Sequence, residues 1–249
     1  MPKHAYHGSV SVVVPVRNEQ DAVEPLMREI VAALSGNVAF EILCIDDGST
    51  DATHARVLRL KTELPMLRVI RHQSPCGQSR AVTTGVTAAR HEWIATLDGD
   101  GQNDPADIPV LLAELVNPAL PANLELLAGW RVQRNDTLLR RLSSTLANRV
   151  RSSVLHDRTP DSGCGLKLFA RATFLQLPHF DHMHRFLPAL IQRNGGAVAS
   201  VPVRHRMRTH GISKYGVHNR LWVGIVDLLG VAWLQRRACR PQIEPGADL

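Results

Sequence analysis

Two carboxylates one residue apart are the strongest chemical signal in this sequence. Asp98-Gly99-Asp100 directly follows a short apolar run, and Gln102 stands two residues further on. Two carboxylates separated by a small residue can turn toward one hard divalent cation and leave coordination positions open for phosphate oxygens. We therefore predict that Asp98 and Asp100 hold Mg²⁺ or Mn²⁺, although such a pair standing alone is more often a solvated turn.

Two further polar segments follow apolar runs earlier in the chain. The segment from Pro15 to Glu19 follows the first run, and the segment from Asp46 to Asp51 follows the second. Side chains there can accept hydrogen bonds from a ribose or a base, and glycine permits a tight turn. The predicted donor-nucleotide contacts are Pro15, Asn18, Glu19, Asp46, Asp47, Gly48 and Asp51.

Arginine dominates the positive charge of this 249-residue chain, whose formal net charge is +6. A guanidinium grips phosphate oxygens in a two-pronged way that an ammonium cannot, so nucleotide diphosphates, nucleic acid and anionic lipid are the candidate partners. Arg131, Arg208 and Lys214 lie beside glycine or tryptophan in turn-like segments, a setting that suits phosphate contact. Together with Asp98 and Asp100 they are the predicted catalytic residues.

The elements that must position these residues alternate along the chain. Apolar runs predict strands at 9–15, 40–45, 67–70, 93–97, 124–128, 163–169 and 197–203. Helical spacing is seen in the 20s and at 51–60, 79–90, 105–115 and 186–192. This alternation predicts an α/β fold, a mostly parallel sheet with helices on both faces that binds ligands at the carboxyl ends of its strands. The acidic segments stand at those ends.

Two further helices are predicted to be amphipathic. Residues 138–155 carry leucine and valine at helical spacing with arginines on other faces, and residues 215–237 contain an apolar run that Asp227 interrupts. That run is too short to span a bilayer, so we predict that it rests on a membrane surface together with the helix at 138–155 and residues 182–187. The alternative is that these apolar faces pack into the core. The predicted organisation is a catalytic domain at 1–214, a membrane-surface helix at 215–238 and a disordered tail at 239–249.

Four motifs in order resemble family 2 glycosyltransferases of the GT-A (Rossmann-like) fold, and within them the branch of polyprenol-phosphate or dolichol-phosphate mannose synthases. The matching stretches, which span about residues 10–222, are Ser11–Glu19, Ile45–Asp51, Leu97–Gln102 with Pro105, and Arg208–Tyr215. One departure is Ser74–Ser79, where relatives often carry a glycine-rich segment.

The resemblance implies roles for particular residues. Pro15, Glu19 and Asp47 are expected to line the nucleoside pocket, while Arg208 and Lys214 are expected to close over the donor diphosphate. The residues expected to surround the metal and the diphosphate are Asp98, Asp100 and Gln102. The expected contacts of the acceptor phosphate are Arg131, Arg140, Arg141 and Ser144.

The expected reaction is the inverting transfer of a hexose, mannose or glucose, from a GDP- or UDP-sugar to a dolichyl or undecaprenyl phosphate. An alcohol acceptor needs a general base, whereas a phosphate monoester is already anionic near pH 7. This difference favours the lipid phosphate, and the alternative is a saccharide acceptor in the synthesis of cell-envelope polysaccharide or lipopolysaccharide.

Other classes of protein fit the sequence less well. A phosphoacceptor receiver module is about half this length, and a dinucleotide oxidoreductase lacks its Gly-x-Gly-x-x-Gly turn. Few aromatic residues argue against a base-stacking platform, so no nucleic-acid partner is expected.

The expected location is the cytoplasmic face of a membrane. The four cysteines form no Cys-x-x-Cys pair, which argues against a disulfide framework and structural zinc, and residues 1–9 lack the apolar stretch of a signal peptide. Peripheral association is expected, either directly or through a small membrane subunit.

Overall fold

The computed structural model describes residues 7–132, 149–157, 159–207 and 217–238. Within them the strands are β1 (Ser9–Val16), β2 (Ala39–Asp46), β3 (Leu67–Arg71), β4 (Trp93–Thr96), β5 (Leu124–Arg131), β6 (Lys167–Ala170) and β7 (Ala197–Val203). The helices are α1 (Val23–Leu34), α2 (Thr53–Glu63), α3 (Gln78–Ala88), α4 (Ile108–Glu114), α5 (Arg171–Leu175), α6 (Leu187–Arg193) and α7 (Val217–Arg236). Short 3₁₀ turns lie at Pro105–Asp107 and Met183–Arg185.

In the described part of the chain the strands form one seven-stranded sheet in the order β3-β2-β1-β4-β6-β5-β7. The first four strands along the sequence run parallel, and β7 runs parallel to β5. Only β6 is antiparallel to its neighbours β4 and β5. The predicted mostly parallel sheet is confirmed, and the reversed strand is an addition that the sequence pattern did not indicate.

Helices cover both faces of this sheet, as predicted. Successive side chains of a strand point to opposite faces, so Val12 and Val14 pack into one apolar cluster and Val13 packs into the other. The first cluster receives α1, α2 and α4, and the second receives α3, α5, α6 and α7. The sheet is therefore buried on both sides, which explains why its central strands are continuous apolar runs.

Helix α7 has two apolar faces rather than the one that an amphipathic helix presents. Val231 is fully buried against the second cluster, while Trp222, Val226, Leu229 and Trp233 are between 58% and 71% exposed. Nowhere in the described residues is a helix both long enough and apolar enough to cross a membrane.

The predicted amphipathic helix at 138–155 lies largely outside the described residues, but its last turns at 149–155 are helical. Here one part of the prediction is wrong, because Arg151 does not lie on a solvated face. Arg151 is buried, because its guanidinium pairs with Asp157 at 3.1 Å and donates to the Thr159 carbonyl, whereas Val150 and Val154 are exposed. The predicted tail at 239–249 lies outside the described residues.

The segment 182–187 does not present its apolar side chains to a membrane. Met183, Phe186 and Leu187 are buried in the second apolar cluster. The 3₁₀ turn in this segment packs on α3, where Ser79 Oγ lies 2.7 Å from His184 Nδ1.

Candidate active site

The ends of three adjacent strands bring the predicted site together. Val16 pairs with Asp46 across β1 and β2, and Val13 pairs with Thr96 across β1 and β4. The carboxyl ends of these strands therefore lie at one edge of the sheet, where open α/β sheets bind ligands. The segments after Pro15, Asp46 and Leu97 meet at that edge, as the sequence predicted.

Hydrogen bonds connect the loop after β1 to the loop after β2. The Asn18 backbone N–H donates to Ser49 Oγ at 2.9 Å, and Asn18 Oδ1 accepts from the Thr50 N–H at 2.8 Å. The Glu19 N–H donates to Thr53 Oγ1, a hydroxyl that itself donates to Asp51 Oδ1. The polar atoms of Asn18 and Asp51 thus hold the shape of this edge.

Asp46 supports the site from within the protein. It is fully buried, accepts a hydrogen bond from the Ser49 N–H at 2.9 Å, and pairs with His54 and Arg71. Because no part of Asp46 is exposed, the prediction that it contacts the nucleotide is corrected: its carboxylate fixes the end of β2.

The Asp47 carboxylate binds the segment Ser74–Ser79, which departs from the family pattern. Its carboxylate accepts the backbone N–H groups of Cys76 and Gly77 at 2.8 and 2.9 Å and lies 2.7 Å from His72 Nδ1. Burial alone would raise the pKa of Asp47, but these hydrogen bonds outweigh burial and lower it. Asp47 therefore remains a carboxylate that shapes the pocket wall after β3, and the neighbouring Gly48 makes its turn at φ +67°.

Asp98 is held in place from several sides. Its N–H donates to Asn103 Oδ1 at 3.2 Å, and its Oδ1 accepts from Gln78 Nε2 at 2.7 Å. Two nearby glycines leave no space for a side chain, since Gly99 packs against the end of β1 and Gly165 packs against Asp98 itself. A Cβ at Gly99 would lie 2.7 Å from the Pro15 carbonyl oxygen, and a Cβ at Gly165 would lie 2.3 Å from Asp98 Oδ2.

The electrostatics of Asp98 suit a cation. Burial and the neighbouring carboxylate of Asp100 raise the pKa of Asp98, an effect that Lys167, Gln78 and Arg131 partly offset. A carboxylate that is costly to keep charged gains stability from a bound cation, and two carboxylates with the amide oxygen of Gln102 are the hard ligands that Mg²⁺ and Mn²⁺ prefer. The residues present therefore fit such an ion.

A cavity of about 210 Å³ opens beside Asp98. Its walls come from the ends of β1 and β4, the start of α3, the segment before β6 and the turn before α6. The lining residues are Pro15, Gln78, Val82, Thr96, Leu97, Asp98, Gly163, Cys164, Gly165, Lys167, His184, Arg185 and Leu187. The cavity thus joins the predicted metal site to segments more than sixty residues further along the chain.

The cavity contains Lys167, which the sequence pattern did not single out, and His184, which the sequence places near the predicted site in a helper role. Lys167 is buried, donates to the Cys164 carbonyl, and has its pKa lowered by burial against the opposing attraction of Cys164, Asp98 and Asp161. His184 is held neutral, since burial and then the charge of Lys167 lower its pKa well below the usual range. No local motif marks these residues, because the sheet brings them to Asp98.

Arg131 lies at the end of β5, and its guanidinium is already engaged. Its Nε and one terminal nitrogen bind both oxygens of Asp161 at 2.6 and 2.9 Å. Such a two-pronged pair fixes the orientation of the arginine and leaves its remaining N–H donors for another anion.

The segment after β7 is anchored beside the predicted metal site. Arg204 pairs with Asp107 at 3.0 Å, Arg206 pairs with Asp104 at 2.7 Å, and the Arg206 N–H donates to the Gln102 carbonyl at 2.9 Å. The chain is thereby delivered next to Gln102 just before the predicted phosphate contacts. Those contacts, Arg208 and Lys214, lie outside the described residues, as do Arg140, Arg141 and Ser144.

Comparisons with known sequences agree with this geometry. A family model described as glycosyl transferase family 2 matches residues 11–173. Dodecaprenyl-phosphate galacturonate synthase from Rhizobium johnstonii is 38% identical over 237 residues, which are 93% of this chain and 69% of that relative. Undecaprenyl-phosphate 4-deoxy-4-formamido-L-arabinose transferase from Edwardsiella ictaluri is 32% identical over 211 residues, which are 84% of this chain and 63% of that relative. The chain spans about two thirds of the length of these relatives.

Solved structures share the fold at lower sequence identity. Glucosyl-3-phosphoglycerate synthase from Mycobacterium tuberculosis, in complex with Mn²⁺, uridine diphosphate and glucosyl-3-phosphoglycerate, superimposes with a TM-score of 0.70 at 18% identity. The match covers 95% of this chain and 82% of that chain. A structure of the same enzyme with Mg²⁺ and uridine diphosphate gives a TM-score of 0.68. The architecture is therefore the GT-A fold.

Proposed function

Because the chain belongs to glycosyl transferase family 2, we propose that it transfers a sugar from a nucleotide diphosphate to a polyprenyl phosphate. Relatives that match most of this chain are named for transfer to dodecaprenyl or undecaprenyl phosphate, which supports this acceptor class. These names give galacturonate and 4-deoxy-4-formamido-L-arabinose as the transferred sugars, neither of which is mannose or glucose. Galacturonate is therefore the first donor sugar to test.

One observation carries the proposal. Asp98 stands at the carboxyl end of a central strand, lines a cavity, and has its pKa raised by burial and by Asp100. This arrangement supports a cation at the junction of a nucleotide edge and a pocket large enough for part of a donor molecule.

Different residues of the site are proposed to bind the metal, the nucleoside and the diphosphate. A divalent ion held by Asp98, Asp100 and Gln102 would neutralise charge on the leaving diphosphate. Asn18, Asp47 and Asp51 fix the loops against which the nucleoside would rest. The anchored segment ending at Met207 would bring Arg208 and Lys214 over the diphosphate, where they add positive charge.

The acceptor side needs positive charge and no carboxylate base. Among the described residues that line the cavity, Asp98 is the only one with a carboxylate, and its predicted role is metal binding. A phosphate monoester is anionic near pH 7 and can attack the anomeric carbon directly, with inversion. Arg131, oriented by Asp161, would position that phosphate through the N–H donors left free, with Arg140, Arg141 and Ser144 as its predicted companions.

The exposed face of α7 supports contact with a membrane surface, where a polyprenyl phosphate resides. Trp222 and Trp233 lie on this face with Val226 and Leu229, and the Arg237 guanidinium lies 5.7 Å from the Trp233 ring centroid. Tryptophan and arginine side by side are typical of segments at the level of lipid headgroups. Attachment to the cytoplasmic face and a membrane subunit stay predictions.

A transfer assay tests the proposed function. The protein is incubated with Mn²⁺, polyprenyl phosphate and sugar-labelled UDP-galacturonate, UDP-glucose or GDP-mannose, and lipids are then extracted. We expect label in the organic phase with one donor and none after chelation of the metal. Label that stays in water as free sugar, or that moves to an added saccharide, would contradict the lipid-phosphate acceptor.

A further inference from the structure

Two cationic side chains line the cavity beside Asp98. They are Lys167 and Arg185, and within the part of the chain that the structure describes Asp98 is the only acidic residue in the lining. The volume of about 210 Å³ is below the ~300–1,000 Å³ of pockets that enclose drug-sized ligands, so it suits one sugar ring of a donor rather than the whole nucleotide.

The two cations differ in what already neutralises them. Lys167 is buried, donates to the Cys164 carbonyl, and is attracted by Asp98 and Asp161. Arg185 is exposed at the cavity, and among the described residues no carboxylate pairs with its guanidinium. Arg185 is thus the cation with donors to offer to a ligand.

The backbone that carries Arg185 is held firmly. Its N–H donates to the His182 carbonyl at 3.0 Å, and the His182 ring pairs with Asp227 of α7 at 3.1 Å. On either side, the His184 ring lies against Ser79 of α3, and the Phe186 side chain is buried. The fixed turn holds the Arg185 backbone at the cavity, so an anion that binds the guanidinium has to order the side chain but not the backbone.

The remaining charges indicate which anion this is. The diphosphate belongs with the metal at Asp98 and Asp100, while His184 is neutral and so offers a hydrogen bond but no second charge. A sugar ring in the cavity would place its substituents against His184, Lys167 and Arg185. A neutral hexose gives Arg185 nothing to pair with, whereas a carboxylate matches the guanidinium fork.

We propose that Arg185 determines donor specificity by pairing with a carboxylate on the donor sugar, so that the substrate class is a nucleotide-linked uronic acid. This inference rests on the proposed function, and it adds the residue that reads the sugar. Lys167, which also lines the cavity, adds positive potential there.

Two donor pairs isolate the carboxylate. UDP-galacturonate and UDP-galactose differ only in a carboxylate against a hydroxymethyl group, and UDP-glucuronate and UDP-glucose repeat the comparison with the other epimer. We expect wild-type protein to show a kcat/KM that is larger for one acid than for its neutral partner. Arg185→Gln should lower kcat/KM for that acid by roughly 10- to 100-fold, the usual range for a lost hydrogen bond to a charged group, and should change the neutral donor by less than about 3-fold.

Two variants control for charge and for folding. Arg185→Lys keeps the charge but loses the fork, so we expect it to recover only part of the preference. Arg80→Gln on α3 makes the same change of net charge at an exposed arginine outside the cavity lining, and its acid preference should equal that of wild type.

The outcomes separate this inference from the proposed function. Equal losses with acid and neutral donors in Arg185→Gln would place Arg185 on the diphosphate and overturn the inference, as would a wild-type preference for the neutral sugars. Absence of lipid-linked product from wild-type protein with every donor would instead defeat the proposed function itself.

Discussion

Gly165 is the position where a single methyl group tests the arrangement around Asp98. A Cβ added at Gly165 would lie 2.3 Å from Asp98 Oδ2 and 2.4 Å from its Cγ, whereas ordinary van der Waals contact begins at 3.4 Å. The carboxyl group must therefore retreat by about 1 Å, and a misplacement of that size can cost roughly 10²-fold in rate. Gly165→Ala should thus lower turnover about 100-fold while the sheet remains folded.

Metal binding gives a second readout of the same change. Substitutions beside metal ligands typically weaken metal affinity by roughly 10- to 100-fold. Titration of Gly165→Ala with Mn²⁺, followed by electron paramagnetic resonance, should show a loss in this range. Gly224→Ala is the matched control, because nothing lies within 4 Å of a Cβ at Gly224. If Gly165→Ala bound Mn²⁺ and turned over like wild type, with an unchanged circular dichroism spectrum, the placement of Asp98 at the metal would be refuted.

Three further predictions follow from charges and exposed surface. Asp98→Asn should abolish Mn²⁺-supported transfer, which the lipid-extraction assay measures. In wild-type protein the Mn²⁺ affinity should begin to fall on acidification above the pH expected of an ordinary aspartate, because the pKa of Asp98 is raised, and isothermal titration calorimetry at several pH values measures this. Asp47→Asn should lower the free energy of unfolding at pH 7 by roughly 1–3 kcal/mol. Because the folded-state pKa of Asp47 is lowered, its stabilisation is present above the unfolded value of about 3.9 and is lost as the pH falls through the folded value, so urea unfolding should show the gap closing in acid. Changing both Trp222 and Trp233 to Ser should reduce flotation with anionic liposomes by ~10-fold or more, whereas Leu58→Ser at an exposed apolar position of α2 should leave it unchanged; equal flotation of all proteins would exclude the α7 face as the contact.

The strand ends show how much of the site local sequence encodes. Asp98 and Asp47 follow apolar runs, and the rule for parallel sheets places such residues at one edge, which the pairing of β1 with β2 and β4 confirms. The reversed direction of β6 was not predictable in this way, since no local pattern states which neighbour a strand will choose. The same limit hid Lys167, which reaches Asp98 only because β6 pairs with β4.

Burial also inverted some local patterns. The amphipathic pattern predicts Arg151 on a solvated helix face, but Asp157 and the Thr159 carbonyl accept the hydrogen bonds of its guanidinium inside the protein. The position of Asp46 after a strand predicts a ligand contact, but its carboxylate binds the Ser49 N–H, His54 and Arg71 instead. In both cases residue type predicts that a charge needs a partner, and only the fold decides whether that partner is a ligand or the protein.

The mass of the lipid product tests the account most directly. Wild-type protein is incubated with polyprenyl phosphate, the preferred nucleotide sugar and Mn²⁺. The mass of the extracted lipid is then measured by mass spectrometry. The account predicts that the lipid gains one sugar residue, keeps a single phosphate, and is unchanged when the metal is chelated. A gain of sugar plus phosphate, or an unchanged lipid beside a glycosylated saccharide, would contradict transfer of the sugar to the phosphate of the lipid.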